Sequence, residues 1–291
     1  MKIAILGAKG MLGHDVVTAG RSAGIEVSGH DLPELDITRE PCGLEKLQAC
    51  DWVVNCAGYT DVDGAEVDRK AAFSVNRDGA RHVAEWCKDR GVPLLHISTD
   101  YVFSGSSSMP YREDDPVKPL NVYGESKLAG EQAVQSVYDR YLIVRTQSLF
   151  GINGRNFVKT IVSRLRENDD PIDVVNDQTS CPTYTVHLAG AILRLLNVEK
   201  QGIVHVSASG SCTWYEFALA IAEKVKPAAV IRPVTSAKLA RPARRPAFSV
   251  LDKERYTTWT NHTMSTWQEG LEEYLEEKIR STKHETQNNI K

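Results

Sequence analysis

The chain has 291 residues, enough for one large domain or two modest ones around a full hydrophobic core. Its 42% hydrophobic and 25% charged content is ordinary for a globular protein, and a net charge of -3 argues against a nucleic-acid partner, which would call for a basic stripe. The six cysteines (Cys42, Cys50, Cys56, Cys87, Cys181 and Cys212) include no C-x-x-C pair, the histidines no local ligand pattern, and no apolar run approaches the ~20 residues of a membrane span. Reduced thiols, no metal site, no membrane partner and, without a signal-peptide pattern, a cytoplasmic location are therefore expected.

In chain order, the first element is a strand at 2–6, and Gly7-Ala-Lys-Gly10-Met-Leu-Gly13 carries it into a helix at 11–20. Glycines between strand and helix let the backbone turn sharply and bring N–H groups and a helix N-terminus to a pyrophosphate. Gly7, Gly10, Met11, Leu12 and Gly13 are thus candidate cofactor contacts. A second strand at 25–29 leads to Asp31, near the ~20-residue offset at which an acid meets the adenosine ribose 2′-OH. Asp36 either approaches the adenine edge with Ile37 or caps a following helix. A third strand at 51–55 runs into Asn55-Cys-Ala-Gly-Tyr-Thr60. Its small residues, Cys56, Ala57 and Gly58, with Tyr59, let a cofactor lie against the strand end.

A helix is expected over 66–89 and a strand over 93–97, ending in Ser98-Thr-Asp-Tyr-Val-Phe103. Thr99 then stands at the crevice mouth, ready to hydrogen-bond a carbonyl oxygen. After a Ser- and Pro-rich loop at 104–120, a helix over 122–138 sets Tyr123 and Lys127 four residues apart on one face. A ketone accepting hydride needs a proton donor, and an ammonium beside a phenol lowers its pKa. Spacing alone decides nothing, since Tyr274 and Lys278 repeat it in an acidic C-terminal helix. The position of Tyr123 shortly after Thr99 separates the two pairs.

A strand at 141–145 closes the regular alternation, which implies βαβ crossovers and a Rossmann-type, doubly wound parallel α/β sheet. Residues 1–150 read as the NAD(P)-binding part. Residues 151–280 read as a smaller, mainly substrate-binding region, with some segments returning to the sheet. The stretch 232–247, with four prolines, reads as loop, and 281–291 as a disordered polar tail.

The glycine loop, Ser98 to Phe103, Leu120-Asn-Val-Tyr-Gly-Glu-Ser-Lys127-Leu-Ala-Gly-Glu131, Asn176-Asp-Gln178 with Pro182-Thr183, Thr213-Trp-Tyr-Glu216 and Arg241-Pro-Ala-Arg-Arg-Pro246 together resemble the dTDP-4-dehydrorhamnose reductase family of extended short-chain reductases. The resemblance covers nearly the whole chain except the tail. It implies NADH- or NADPH-dependent reduction of the C4 ketone of a dTDP-4-dehydro-L-rhamnose substrate. It also implies Thr99, Tyr123 and Lys127 as the catalytic triad, with Tyr59 and Thr60 beside cofactor and substrate and Asp100 and Val102 flanking the sugar; independently of it, the basic cluster Arg241-Pro-Ala-Arg244-Arg245-Pro is suited to one phosphate group. One departure concerns the pocket: the family usually reads Arg-Thr-Ser-Trp after the fifth strand, whereas Ser148 stands here where the Trp would be. Pro182-Thr-Tyr-Thr-Val-His187 also lacks the acids with which some members bind magnesium at a dimer interface. A homodimer is left open.

Two alternatives accompany this reading. A relative of the family, the β subunit of methionine adenosyltransferase, keeps the fold but serves a partner enzyme; an intact Thr99, Tyr123 and Lys127 set favours catalysis. The other is a reductase or epimerase of a different nucleotide sugar, to which Ser148 lends support.

Overall fold

The computed structural model describes residues 1–39 and 43–288. The strands are β1 (Lys2–Leu6), β2 (Glu26–His30), β3 (Trp52–Asn55), β4 (Leu94–Thr99), β5 (Tyr141–Thr146), β6 (Leu149–Phe150), β7 (Ile172–Val175), β8 (Thr179–Ser180), β9 (Thr183–Tyr184), β10 (Gly202–His205), β11 (Cys212–Thr213) and β12 (Ile231–Val234). The helices are α1 (Met11–Ser22), α2 (Val62–Val67), α3 (Arg69–Phe73), α4 (Ala80–Arg90), α5 (Val122–Val137), α6 (Phe157–Glu167), α7 (Thr185–Leu195), α8 (Trp214–Val225), α9 (Ser236–Leu239), α10 (Glu254–Thr260) and α11 (Trp267–Asn288).

Six strands form one wholly parallel sheet in the order β10-β5-β4-β3-β1-β2. Its inner strands are mostly apolar because helices cover both faces; Ile3, Ala4, Ile5 and Leu6 are all buried. From β1 the chain steps outward to β2, then reverses to β3 and continues through β4 and β5 to β10. That reversal opens a crevice between the carboxyl ends of β1 and β3, where such sheets receive ligands. A separate core gathers Phe150, Ile161, Tyr184, Phe217, Trp267 and Tyr274 from α6, α8, α11 and the short strands.

Several expectations are corrected. The helix expected over 66–89 is three helices and a π-helical stretch, Ser74–Gly79. Asp68 interrupts it by accepting the Ala71 N–H as the cap of α3, and Asp61 starts α2 earlier by accepting the Gly64 N–H. The stretch 232–247 is not all loop: β12 pairs with β7, its Pro233 sitting on a two-stranded edge where a missing N–H is tolerated, and α9 follows. The segment from 281 is helical to Asn288, because nothing between Trp267 and that point breaks a run rich in Glu, Lys and Arg. Residues 289–291 lie outside the described residues. The five described cysteines are unpaired, and Cys42 lies outside the described residues. No described helix is long and apolar enough to cross a membrane.

Candidate active site

The glycine loop sits at the crevice. Gly7 has φ +76°, and a Cβ there would lie 2.7 Å from the Ala57 nitrogen, so the loops after β1 and β3 meet backbone to backbone. A Cβ on Gly13 would lie 2.1 Å from the Gly7 carbonyl, which fixes how closely α1 approaches its strand. Gly10 is the N-cap of α1 and supplies no side-chain hydrogen bond. The first N–H groups of this helix, from Met11 onward, are thereby suited to a pyrophosphate, and the residues present fit a dinucleotide. The Leu12 side chain is core.

Around the adenosine end the side chains are more occupied than the sequence suggests. The Asp31 carboxylate accepts the Lys9 N–H at 2.7 Å and the Leu32 N–H at 2.8 Å, bracing the glycine loop. Lys9 Nζ turns back to the Leu32 carbonyl at 2.7 Å, so an ammonium and a carboxylate share this corner. Asp36 does not cap a helix; it accepts from Thr38 N and Oγ1 and pairs with Arg39. Ile37 is buried against Gly79, and its carbonyl is already hydrogen-bonded to His82 Nδ1 at 2.8 Å.

Beyond β3, Asn76 from the π-helical stretch clamps the next loop. Its amide accepts the Tyr59 N–H at 2.8 Å, donates to the Tyr59 carbonyl at 3.1 Å and donates to Ser126 Oγ at 2.9 Å. Sequence reasoning missed this residue, since its role depends on a helical irregularity without an obvious sequence signal. Gly58 lies under the same clamp, with Asn76 Oδ1 and Lys127 Nζ nearest its α-carbon substituent position. Cys56 is beside Lys127, and burial raises its thiol to about 12, so it stays protonated. Thr60 is exposed at the loop tip.

Thr99 ends β4, and α5 brings Tyr123 to it, so that the phenol stands beside the Thr99 hydroxyl. Asn121 caps α5, accepting the Gly124 N–H at 2.8 Å, so Tyr123 stands in the first turn. Burial pushes the Tyr123 phenol up to about 12, with the neighbouring Thr99 hydroxyl opposing and Asp100 adding to the rise. Lys127, one turn on, donates to the Ile97 carbonyl at 2.5 Å. Burial lowers this ammonium to about 8 against the pull of Glu131. The expected lowering of the phenol by Lys127 is therefore not what sets its pKa in this structure. Behind them, Glu131 and Arg145 form a buried two-pronged pair at 2.9 and 2.7 Å, and Ser98 Oγ donates to the same carboxylate at 2.5 Å.

Next to Tyr123 opens a cavity of about 610 Å³. Tyr101, edge-on to the Tyr123 ring at 5.7 Å, forms one wall; Phe157 and Trp214, 4.7 Å apart, form another. The guanidinium groups of Arg164 and Arg244 line it with no ion pair among the described residues. Arg245 instead forks onto Asp63 at 3.0 and 2.9 Å, tying the arginine-rich loop to α2. Arg244 was anticipated; Arg164, Phe157 and Trp214 converge from distant segments and carry no local signal of a shared pocket.

Three expected sugar contacts sit differently. Val102 is fully buried with Phe103, Tyr111 and Leu251, because the 3-10 turn after β4 points it inward, so its side chain is core. Ser148 adopts φ +49° and bonds Ser180 Oγ at 2.6 Å, and it is not among the residues lining the cavity. Asp100 is 2% exposed, with Oδ1 accepting from Thr99 Oγ1 at 3.0 Å. Among the described residues, no group of three or more His, Cys, Asp or Glu side chains could hold a metal ion.

A doubly wound sheet, an open helix N-terminus at its switch point and a Thr–Tyr–Lys set beside a cation-lined cavity define a nicotinamide-dependent reductase of the short-chain type. Residues 1–280 match the family model described as the RmlD substrate binding domain. A dTDP-4-dehydrorhamnose reductase of Streptomyces griseus is 40% identical, over 92% of this chain and 91% of its own. A probable dTDP-4,6-dihydroxy-2-methyloxan-3-one 4-ketoreductase of Streptomyces antibioticus is 39% identical, over 94% of each chain. The crystal structure of dTDP-4-dehydrorhamnose reductase from Bacillus anthracis in complex with NADP superposes with a TM-score of 0.91 at 36% identity, covering 95% of this chain and 99% of that one. The chain belongs to the dTDP-4-dehydrorhamnose reductase family.

Proposed function

We propose that this enzyme reduces the C4 ketone of dTDP-4-dehydro-L-rhamnose to give dTDP-L-rhamnose, using NADPH or NADH. The observation that carries the reading is the Tyr123 phenol set beside the Thr99 hydroxyl at the sheet's carboxyl edge, its ring against Tyr101 on the cavity wall. The glycine loop and the N-terminus of α1 would hold the dinucleotide's pyrophosphate, and its reduced nicotinamide would supply the hydride. Thr99 holds the ketone oxygen, and Tyr123, kept protonated by burial, gives that oxygen its proton. Lys127, whose ammonium also donates to the Ile97 carbonyl, would hold the nicotinamide ribose. Arg164 and Arg244 receive the diphosphate, whose charge their unpaired guanidinium groups match, and Trp214 with Phe157 receive the base. Residues 151–280 thus act mainly on the sugar nucleotide, and 1–150 on the dinucleotide.

The presence of Ser148 in place of the family Trp favours a second reading within the same chemistry, a neighbouring dTDP-4-keto sugar. Either substrate, a charged metabolite, suits a cytoplasmic enzyme. The test is to mix purified protein with NADPH and a panel of dTDP-4-keto sugars and follow nicotinamide absorbance and product. Oxidation with dTDP-4-dehydro-L-rhamnose and formation of dTDP-L-rhamnose are expected. Cofactor binding without turnover on any member of the panel would leave the chain a binding subunit instead.

A further inference from the structure

Lys127 and Thr99 both depend on the end of β4, and that stretch has a neighbouring strand on one side only. The ladder between β3 and β4 stops at Asn55 and His96, whereas β5 runs on beside Ile97, Ser98 and Thr99. The Ile97 carbonyl accepts the Lys127 ammonium at 2.5 Å. One residue on, Ser98 Oγ donates to Glu131 Oε1, also at 2.5 Å. Lys127 and Glu131 are four residues apart on one face of α5. The helix thus grips the strand tip at two points a turn apart, where a paired strand would otherwise hold it. Arg145, the register partner of Ser98 on β5, completes the arrangement, donating from Nε to Glu131 Oε1 at 2.9 Å and from Nη2 to Oε2 at 2.7 Å.

We propose that Glu131 is a positioning residue: through Ser98 it fixes the tip of β4, and with it the places of Lys127 and Thr99. The inference rests on the reduction proposed above. The Ile97 carbonyl and the Ser98 nitrogen belong to one planar peptide group, so anchoring Ser98 limits how the carbonyl that orients the ammonium can turn. Thr99 follows directly. Stability alone does not call for this design. Glu131, Arg145 and Ser98 are all buried, and an apolar pair of similar volume would fasten α5 to β5 at least as well as the ion pair does. An apolar pair, however, could accept nothing from Ser98.

The charge of Glu131 serves the same end. Burial lowers the Lys127 ammonium to about 8, and Glu131 exerts the largest opposing pull. The other titratable groups around the ammonium are Cys56 beyond β3, His96 on β4 and Tyr123 a turn earlier on α5, and burial keeps each of them uncharged. Arg145, on β5, is paired with Glu131 itself.

Steady-state kinetics of two variants test the proposal, with NADPH and the dTDP-4-keto sugar that the wild type turns over, each rate normalised to folded enzyme from its melting curve. Ser98→Ala keeps the ion pair and cuts only the grip on β4. Its kcat should fall roughly 10- to 100-fold, while KM for the sugar nucleotide, set in the cavity of Arg164 and Arg244, stays within a factor of about two. Glu131→Leu combined with Arg145→Met strands no charge in the interior, so the fold should survive. Its kcat should fall at least as far, and the alkaline loss of activity, centred at about 8 in wild type, should move to lower pH because the pull on the Lys127 ammonium is gone. A pair that served only stability would leave the rate per folded molecule and that alkaline limb where they were. Ser98→Ala with wild-type kcat overturns the proposal, as does a double variant with wild-type kcat and an unmoved alkaline limb. A wild-type enzyme inactive on every dTDP-4-keto sugar would instead overturn the reduction itself.

Discussion

Tyr123 and Asp31 illustrate how differently single residues can be read from sequence. Burial keeps the Tyr123 phenol protonated, which suits a donor, so removing its hydroxyl should leave binding intact and stop the chemistry. Tyr123→Phe should lower kcat by roughly 10²–10⁴-fold with NADPH affinity within a factor of about two, as read by steady-state kinetics and fluorescence titration. The offset of Asp31 suggests a cofactor-discriminating acid, while its bracing of the Lys9 N–H has no sequence signal, because that bond depends on how the loop closes. Asp31→Asn keeps an acceptor for the loop and removes the charge. The ratio of kcat/KM values should then move towards NADPH by roughly tenfold, about 1.4 kcal/mol of lost repulsion. Thr99, Tyr123 and Lys127 were legible because family motifs and a strand-end position mark them. Asn76, Arg164 and Trp214 were not, because each gains its place only when remote segments come together.

Among the elements, α5 carries the most. It presents Tyr123 and Lys127 on one face, and Glu131, a turn further on, fastens it to β5 through Arg145 and to β4 through Ser98. Both partners of the ion pair are nearly inaccessible, at 3% and 2%. Breaking such a pair leaves an unpaired charge in the interior, so Glu131→Gln should destabilise the fold by about 3–5 kcal/mol. Replacing both partners together with apolar residues should recover much of that loss in urea denaturation, because no charge is left stranded. The elements that sequence reading located well are those with strong periodicity: α1, α5 and the first five parallel strands, each placed within a residue or two of its observed ends. It failed where a single side chain overrides the pattern, as Asp68 does between α2 and α3, and where strands are two residues long and have no period to detect.

At the scale of the whole molecule, the two halves of the chain are joined across the cavity by the Asp63 fork on Arg245. Burial alone would raise Asp63, but Arg245, the Ala243 N–H and Arg241 outweigh it and hold the carboxyl below its ordinary range. The tie therefore survives mild acid and weakens only as pH falls through that depressed value. Asp63→Asn should loosen the arginine-bearing loop and raise KM for the sugar nucleotide by roughly tenfold, about 1.4 kcal/mol, while calorimetry finds NADPH affinity unchanged. The same interdependence extends to the central sheet. Its last strand, β10, reaches the sheet only after the chain has passed through α6 and α7. Until the ribosome has released residues 202–205, β5 has no neighbour on its outer side, and its unpaired amides are open to any passing extended segment. Newborn chains of this protein thus carry a sticky seam through roughly fifty residues of synthesis, which makes them natural clients for chaperones that bind early and let go late.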